Sequence, residues 1–253
     1  MRAAVVEPRN SASGDHRLAC GSLMTARIAV VCFPGSNCEH DVVQAVQQLG
    51  GEAEIVWHTE TSLDGFTGVI VPGGFAHGDH IRPGAIAQFS PIMAAVKRAS
   101  EQGRPILGIC NGFQVLVEVG LLPGALMRND GLRFLCETVI CEVVSTNSVL
   151  TKSSIRGDHL ALPINHYEGN FTCDEQTLAE LFANGQVILQ YVDNPNGSTR
   201  NVAGVSNLAG NVVGLMPHPE RAMSTLLGSV DGKRLLESFI DAADVAPGAI
   251  SAA

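Results

Sequence analysis

Residues Pro105–Val119 read PILGICNGFQVLVEV, and two patterns meet inside them. Pro105 to Cys110 is a short apolar run, as expected of a strand covered on both faces. Asn111 to Val119 opens a helix. The joint between them is Gly108-Ile109-Cys110-Asn111-Gly112, the cysteine counterpart of the G-x-S-x-G strand–turn–helix elbow. A turn that sharp holds its central residue in a strained backbone conformation, and side chains at the flanking positions would collide with it. The glycines remove those side chains. At a helix N-terminus, free N–H groups and the helix dipole favour the thiolate form of a sulfur. The Asn111 N–H then faces the place where an oxyanion would develop. A cysteine in an apolar strand is ordinarily an inert core residue; the elbow makes Cys110 the candidate nucleophile instead.

The same alternation continues on either side of the elbow. Arg27 to Phe33 (RIAVVCF) is a buried strand ended by Pro34-Gly35. Glu39 to Leu49 carries a helical apolar stripe of Val42, Val43, Ala45, Val46 and Leu49, stopped by Gly50-Gly51. Glu52 to Trp57 and Thr67 to Val71 are further strands, the second cut by Pro72-Gly73-Gly74, and a helix is expected over Ala85 to Gln102. Strand–helix alternation predicts a doubly wound, flavodoxin-like, mostly parallel sheet with helices on both faces. Beyond Leu122 short strands at Arg133–Val144, Gln186–Tyr191, Val202–Ser206 and Asn211–Leu215 suggest added hairpins and sheet edges. A last helix runs from about Asp231 to Ala243. One α/β domain over residues 26–245 is the simplest account. Residues 1–25 are expected to be a disordered extension, with Met24 a candidate natural start, and residues 246–253 a flexible tail.

Composition excludes several classes. The chain has 253 residues, 45% hydrophobic and 16% charged, which is enough to bury a large core and too apolar for a disordered chain. Its formal charge of -9 argues against nucleic acid as a partner, which needs a basic footprint. The greasiest window, Pro105–Pro123, is interrupted by Asn111, Gln114, Glu118 and glycines, so no membrane span is expected. Seven cysteines without a CxxC pair fit a reducing cytoplasm better than a disulfide framework or a zinc ribbon. Cys32, Cys136 and Cys141 fall in strands and are expected to be inert; Cys38 sits on a loop where exposure is expected. The Asn170-Phe171-Thr172 and Asn196-Gly197-Ser198 triplets read as loop composition rather than glycosylation sites.

A thiol nucleophile in acyl transfer needs an acid–base partner, and that partner an orienting group. Met216-Pro217-His218-Pro219-Glu220 offers both. In an extended segment His218 and Glu220 face the same side, and the prolines are expected to keep it out of a helix. Glu220 would accept from one imidazole nitrogen and leave the other for Cys110. Gly73 and Gly74, at a strand's carboxyl end, let backbone N–H groups approach a ligand and with the Asn111 N–H would form an oxyanion hole. Gln114, one helical turn after Cys110, is a candidate for holding an amide or carboxylate. His77-Gly78-Asp79-His80 has a metal-like spacing, but no cluster completes it, and no metal is expected.

These segments resemble the class I (triad-type) glutamine amidotransferases, and within them the glutaminase subunits of phosphoribosylformylglycinamidine synthases. FPGSNCEHD (33–41), VPGGFAHGDHIRPGA (71–85), ILGICNGFQVLVEVGLLPGAL (106–126), NPNGS (194–198) and GLMPHPERA (214–222) carry the resemblance, which covers nearly all of residues 26–243. It implies that Cys110 forms a γ-glutamyl thioester, with His218 as acid–base and Glu220 orienting it. It implies that ammonia passes to a separate large synthetase subunit, with a small subunit completing the complex. ATP and Mg²⁺ would then be used by the synthetase, with no cofactor in this chain. The sequence departs from the family's usual loops at His80 and Pro83, where GDYLRCGA is the common form, and at Asn165–Gly169, where AHGEG is.

Overall fold

The computed structural model describes residues 25–245. The expectations for residues 1–24 and 246–253, including Met24 as the start, lie outside the described residues. Eleven strands and five helices are formed by the described residues. In order they are β1 Arg27–Cys32, α1 Glu39–Gln48, β2 Glu52–Trp57, β3 Gly68–Val71, α2 Ile92–Glu101, β4 Ile106–Ile109, α3 Asn111–Glu118 and β5 Ala125–Met127. They continue with β6 Leu135–Val143, β7 His159–His166, β8 Asn170–Thr172, α4 Glu175–Ala183, β9 Val187–Tyr191, β10 Val202–Ser206, β11 Val212–Leu215 and α5 Gly232–Asp244.

Nine strands form one sheet in the order β2-β1-β3-β4-β11-β10-β9-β6-β7. β2, β1, β3, β4 and β11 pair in parallel, and the joins from β11 through to β7 are antiparallel. Only β10 and β6 therefore run against the common direction, so the sheet is mostly parallel. β1, β3, β4 and β11 are almost wholly buried, as their continuous apolar runs require of strands covered on both faces.

Register shows how the helices are distributed. A Cβ at Gly68 would meet Ile28 and Ala243 of α5. Gly68 and Ile70 share that face, and Ile70 pairs with Leu107. Gly108 therefore looks to the other face, beside Gly214. A Cβ there would meet Gly112 and Leu116 of α3, and one at Gly214 would meet Phe113. α5 and α3 thus cover opposite faces, and the glycines let α3 sit close on β4 and β11.

Three expectations need correction. The region Ala85–Gln102 is not one helix: a short 3₁₀ turn, Ala87–Phe89, ends at an extended Ser90, and α2 begins after Pro91. A residue before proline is driven out of the helical region, which accounts for the break. The strand near Asn211–Leu215 is no sheet edge; β11 lies in the middle, between β4 and β10. Asn170–Thr172 is a strand, β8, paired with β5, and Phe171 is buried and stacked on Phe113. Asn196-Gly197-Ser198 is loop, as expected, with the Asn196 and Ser198 side chains buried. No described helix is long and apolar enough to cross a membrane.

Candidate active site

β4 and β11 run in parallel, side by side, and both end at the same edge of the sheet, where ligands of such folds bind. From β4 the chain turns at Cys110; from β11 it continues into Met216-Pro217-His218. Ile109 pairs with Leu215, and the Cys110 N–H donates to the Leu215 carbonyl at 2.8 Å. One ladder therefore brings residues 108 positions apart in sequence to the same end of the fold.

Cys110 has φ 50° and ψ -105°. This positive φ at a residue bearing a side chain is strained. The flanking glycines are obligatory: a Cβ at Gly112 would fall on the Val71 carbonyl oxygen, and one at Gly108 would lie 2.7 Å from Gly112 backbone atoms. The sulfur is 5% exposed and lines a cavity of about 230 Å³ together with Gly74, Asp79, Gln114, Asn165, His166 and Glu168.

His218 and Glu220 are both buried, and the His218 Nδ1–H donates to Glu220 Oε1 at 2.7 Å. The segment is extended only as far as His218. Pro219–Arg221 forms a 3₁₀ turn with proline at its start, which corrects the expectation that the prolines exclude helical structure. A proline has no N–H to lose in a first turn, and its φ is already suitable. Burial opposes charge on the imidazole, yet Glu220, Cys110 and Cys38 beside it overturn that effect and hold its pKa well above the usual range. Its Nε2 makes no hydrogen bond of good geometry. Cys110 Sγ is near the ring but is directed at the Asn165 carbonyl, 3.6 Å away.

Gly73 lies under the dyad. A Cβ there would stand 2.8 Å from His218 Cε1 and 3.1 Å from Cys38 Sγ. Its carbonyl accepts from the Asn37 and Cys38 N–H groups, both at 3.3 Å. Gly74 has φ 148° and lines the cavity. The Asn111 N–H is the first of α3, where a helix leaves its donors without intrahelical partners. The Asn111 side chain is a brace: Oδ1 accepts from the Ala76 N–H at 2.9 Å, and Nδ2 donates to Asp79 Oδ1 at 3.1 Å and to Gln114 Oε1 at 2.9 Å. Gln114 lines the cavity as expected, but its amide is already engaged, with Nε2 donating to the Glu168 carbonyl at 2.5 Å. A ligand contact at Gln114 has to replace one of these bonds.

Sequence reasoning misread Cys38 and gave no individual role to Asp79, Asn165 or His166, although their loops carry the departures from the family's usual form. Cys38 is not exposed: it is 2% exposed, and Arg221 Nη2 contacts its sulfur at 3.2 Å. Asp79 borders the cavity, and burial, with Glu168 nearby, raises its pKa to about 6 despite the hydrogen bond from Asn111. His166 and Asn165, at the end of β7, line the same cavity. The NPNGS segment is their scaffold: Asn196 Nδ2 donates to the Gly169 carbonyl at 2.8 Å, and Ser198 Oγ accepts from the Phe171 N–H at 3.0 Å. Among the described residues, one cluster has the ligand types for a metal, Cys38 with His218 and Glu220. The Arg221 guanidinium on that sulfur disfavours a cation there. His77 turns away toward Ser90 and His58.

Comparison with known proteins gives the same picture. The model of the CobB/CobQ-like glutamine amidotransferase domain matches residues 25–238. The solved structure of PurLQS from Thermotoga maritima contains a chain 40% identical, with TM-score 0.80, over 86% of this chain and 99% of that one. A putative GMP synthase component from Thermoplasma acidophilum is 17% identical, with TM-score 0.60, over 87% and 94% of the two chains. A glutamine amidotransferase from Thermotoga maritima is 16% identical, with TM-score 0.57, over 87% and 99%. The last two likenesses speak for the fold alone.

Proposed function

The chain belongs to the CobB/CobQ-like glutamine amidotransferase family, and on that premise we propose that it is the PurQ-type glutaminase subunit of a phosphoribosylformylglycinamidine synthase. In this reading glutamine enters the cavity beside Cys110. The thiolate attacks the side-chain carboxamide carbon, and a C–S bond forms. As the tetrahedral intermediate collapses, the C–N bond breaks, His218 delivers its proton to the nitrogen, and ammonia leaves. His218 then takes a proton from water, which attacks the γ-glutamyl thioester and releases glutamate and the free thiol. Glu220 holds the imidazole in one tautomer and favours its protonated form. The N–H groups of Asn111 and the Gly73–Gly74 turn receive the oxyanion, and Gln114 borders the bound substrate.

The observation that carries this reading is the buried His218–Glu220 pair delivered beside the Cys110 elbow by the β4–β11 ladder. The PurLQS relative supports a synthetase partner, and we assign the partners as large and small subunits of the PurL and PurS types. The ammonia would there convert formylglycinamide ribonucleotide to its amidine, with ATP and Mg²⁺ bound by the synthetase and the complex in the cytoplasm. Glutamate release should be feeble from the isolated chain and should rise when the synthetase is added with its substrates. Release that is absent in both states overturns the proposal.

A further inference from the structure

His166 is a buried, titratable side chain that this mechanism leaves unused. It closes β7, is 3% exposed, and lines the cavity that contains Cys110. Its neighbours fix its tautomer. Asn129 Nδ2 donates to the Arg133 carbonyl at 2.9 Å and to the His166 carbonyl at 3.0 Å, so its Oδ1 is the acceptor. That oxygen receives the Gly169 N–H at 3.1 Å and His166 Nδ1 at 3.1 Å. Nδ1 therefore carries the proton, and Nε2 presents a lone pair. Nε2 is buried and has no hydrogen-bond partner. An unsatisfied buried acceptor is costly and rare in folded proteins.

The ring is also held in place. A Cβ at Gly169 would fall on it, so that glycine is the condition for its orientation. The same strand touches both members of the candidate catalytic pair: the Pro163 carbonyl accepts from the His218 N–H at 2.8 Å, and the Asn165 carbonyl faces Cys110 Sγ. Burial and the neighbouring His218 lower the His166 pKa to about 4. The imidazole stays neutral at physiological pH, and Nε2 remains an acceptor throughout turnover.

The group that this lone pair suits is an N–H donor at the reacting centre. The carboxamide of glutamine carries two N–H bonds there, and they stay on the nitrogen as it becomes ammonia. We propose that His166 is a substrate-contacting residue whose Nε2 accepts an N–H of the scissile carboxamide and of the departing ammonia. No proton moves to it; the proton that completes ammonia comes from His218. This inference rests on the glutaminase reading.

A pair of substrates tests it. The γ-methyl ester of glutamate keeps the α-amino and α-carboxylate groups of glutamine and forms the same thioester, but has no N–H at the reacting centre. In the chain assembled with its synthetase partner, kcat/KM is measured for both with His166→Phe and with His166→Gln, which retains an acceptor. His166→Phe should lower kcat/KM for glutamine about tenfold or more and for the ester by less than about threefold, and His166→Gln should recover part of the glutamine loss. Equal losses on the two substrates, including complete loss of both, make His166 structural and overturn the proposal, as does no loss on either. If the wild-type chain hydrolyses neither substrate, it is the glutaminase reading that fails.

Discussion

The His218 Nδ1–H donates a hydrogen bond to Glu220 Oε1 across 2.7 Å, with both side chains shut away from solvent. A carboxylate so placed selects the tautomer that leaves Nε2 facing the sulfur side, and it favours the imidazolium. Replacing His218 by Asn should lower glutamine turnover by about 10²–10⁴, the usual weight of an acid–base group. Glu220→Gln should lower turnover too and move the His218 limb of the pH–rate profile to lower pH, because the charge that lifts the ring is gone. Steady-state rates over a pH series test both; an unmoved limb contradicts the role of Glu220.

The elbow makes a steric prediction. Any side chain at 112 falls on the Val71 carbonyl, whereas a Cβ at Gly131 meets nothing within 4 Å. Gly112→Ala should cost several kcal/mol or prevent folding, and Gly131→Ala should change stability by no more than about 0.5 kcal/mol. Denaturant midpoints of the two variants test this; equal midpoints contradict the tight α3–β3 approach.

Asp79 makes a prediction with a sign. Its folded pKa, raised to about 6 by burial and Glu168, lies above the unfolded value of about 3.9. Its contribution to stability is therefore fully present below about pH 4 and is lost as pH rises through 6. Above that, the ionised group opposes folding. Asp79→Asn keeps the shape and the acceptor for Asn111 and should raise Tm by a few degrees at pH 8, after allowing for partial solvent screening. The gain should vanish by pH 4. Thermal melts at the two pH values decide; a variant less stable at pH 8 contradicts it.

Cys38 and Cys110 both lie beside His218, but Cys110 alone of the two lines the cavity. A glutamine-analogue electrophile should therefore alkylate Cys110 and spare Cys38. Peptide mass spectrometry locates the adduct, and label at Cys38 contradicts the assignment of the nucleophile.

What the sequence revealed depended on how local the physics was. The elbow was legible because its glycines answer to contacts within a few residues and one neighbouring strand. His218 and Glu220 were legible because they sit two apart, with a proline on either side of His218. β7 was not, because Pro163 interrupts the pattern of a strand; the sheet tolerates it because β7 is the edge strand, paired only with β6. β8 is too short to show a period, and α4 buries only Leu181. Cys38 looked exposed because nothing near it in sequence announces that the Gly73 carbonyl folds its loop beneath His218. The environment of His166 is set by Asn129, 37 residues away, and no spacing rule reaches that far.

Cys110 is the group that has to take the γ-glutamyl group from glutamine and release its nitrogen if the chain works as proposed. The most direct measurement assembles the Cys110→Ala chain with its synthetase partner and follows amidine formation with glutamine, and separately with ammonium chloride, as the nitrogen source. Glutamine should support no synthesis and ammonia should support it at the wild-type level. Full glutamine-dependent synthesis by the Cys110→Ala complex would contradict the account.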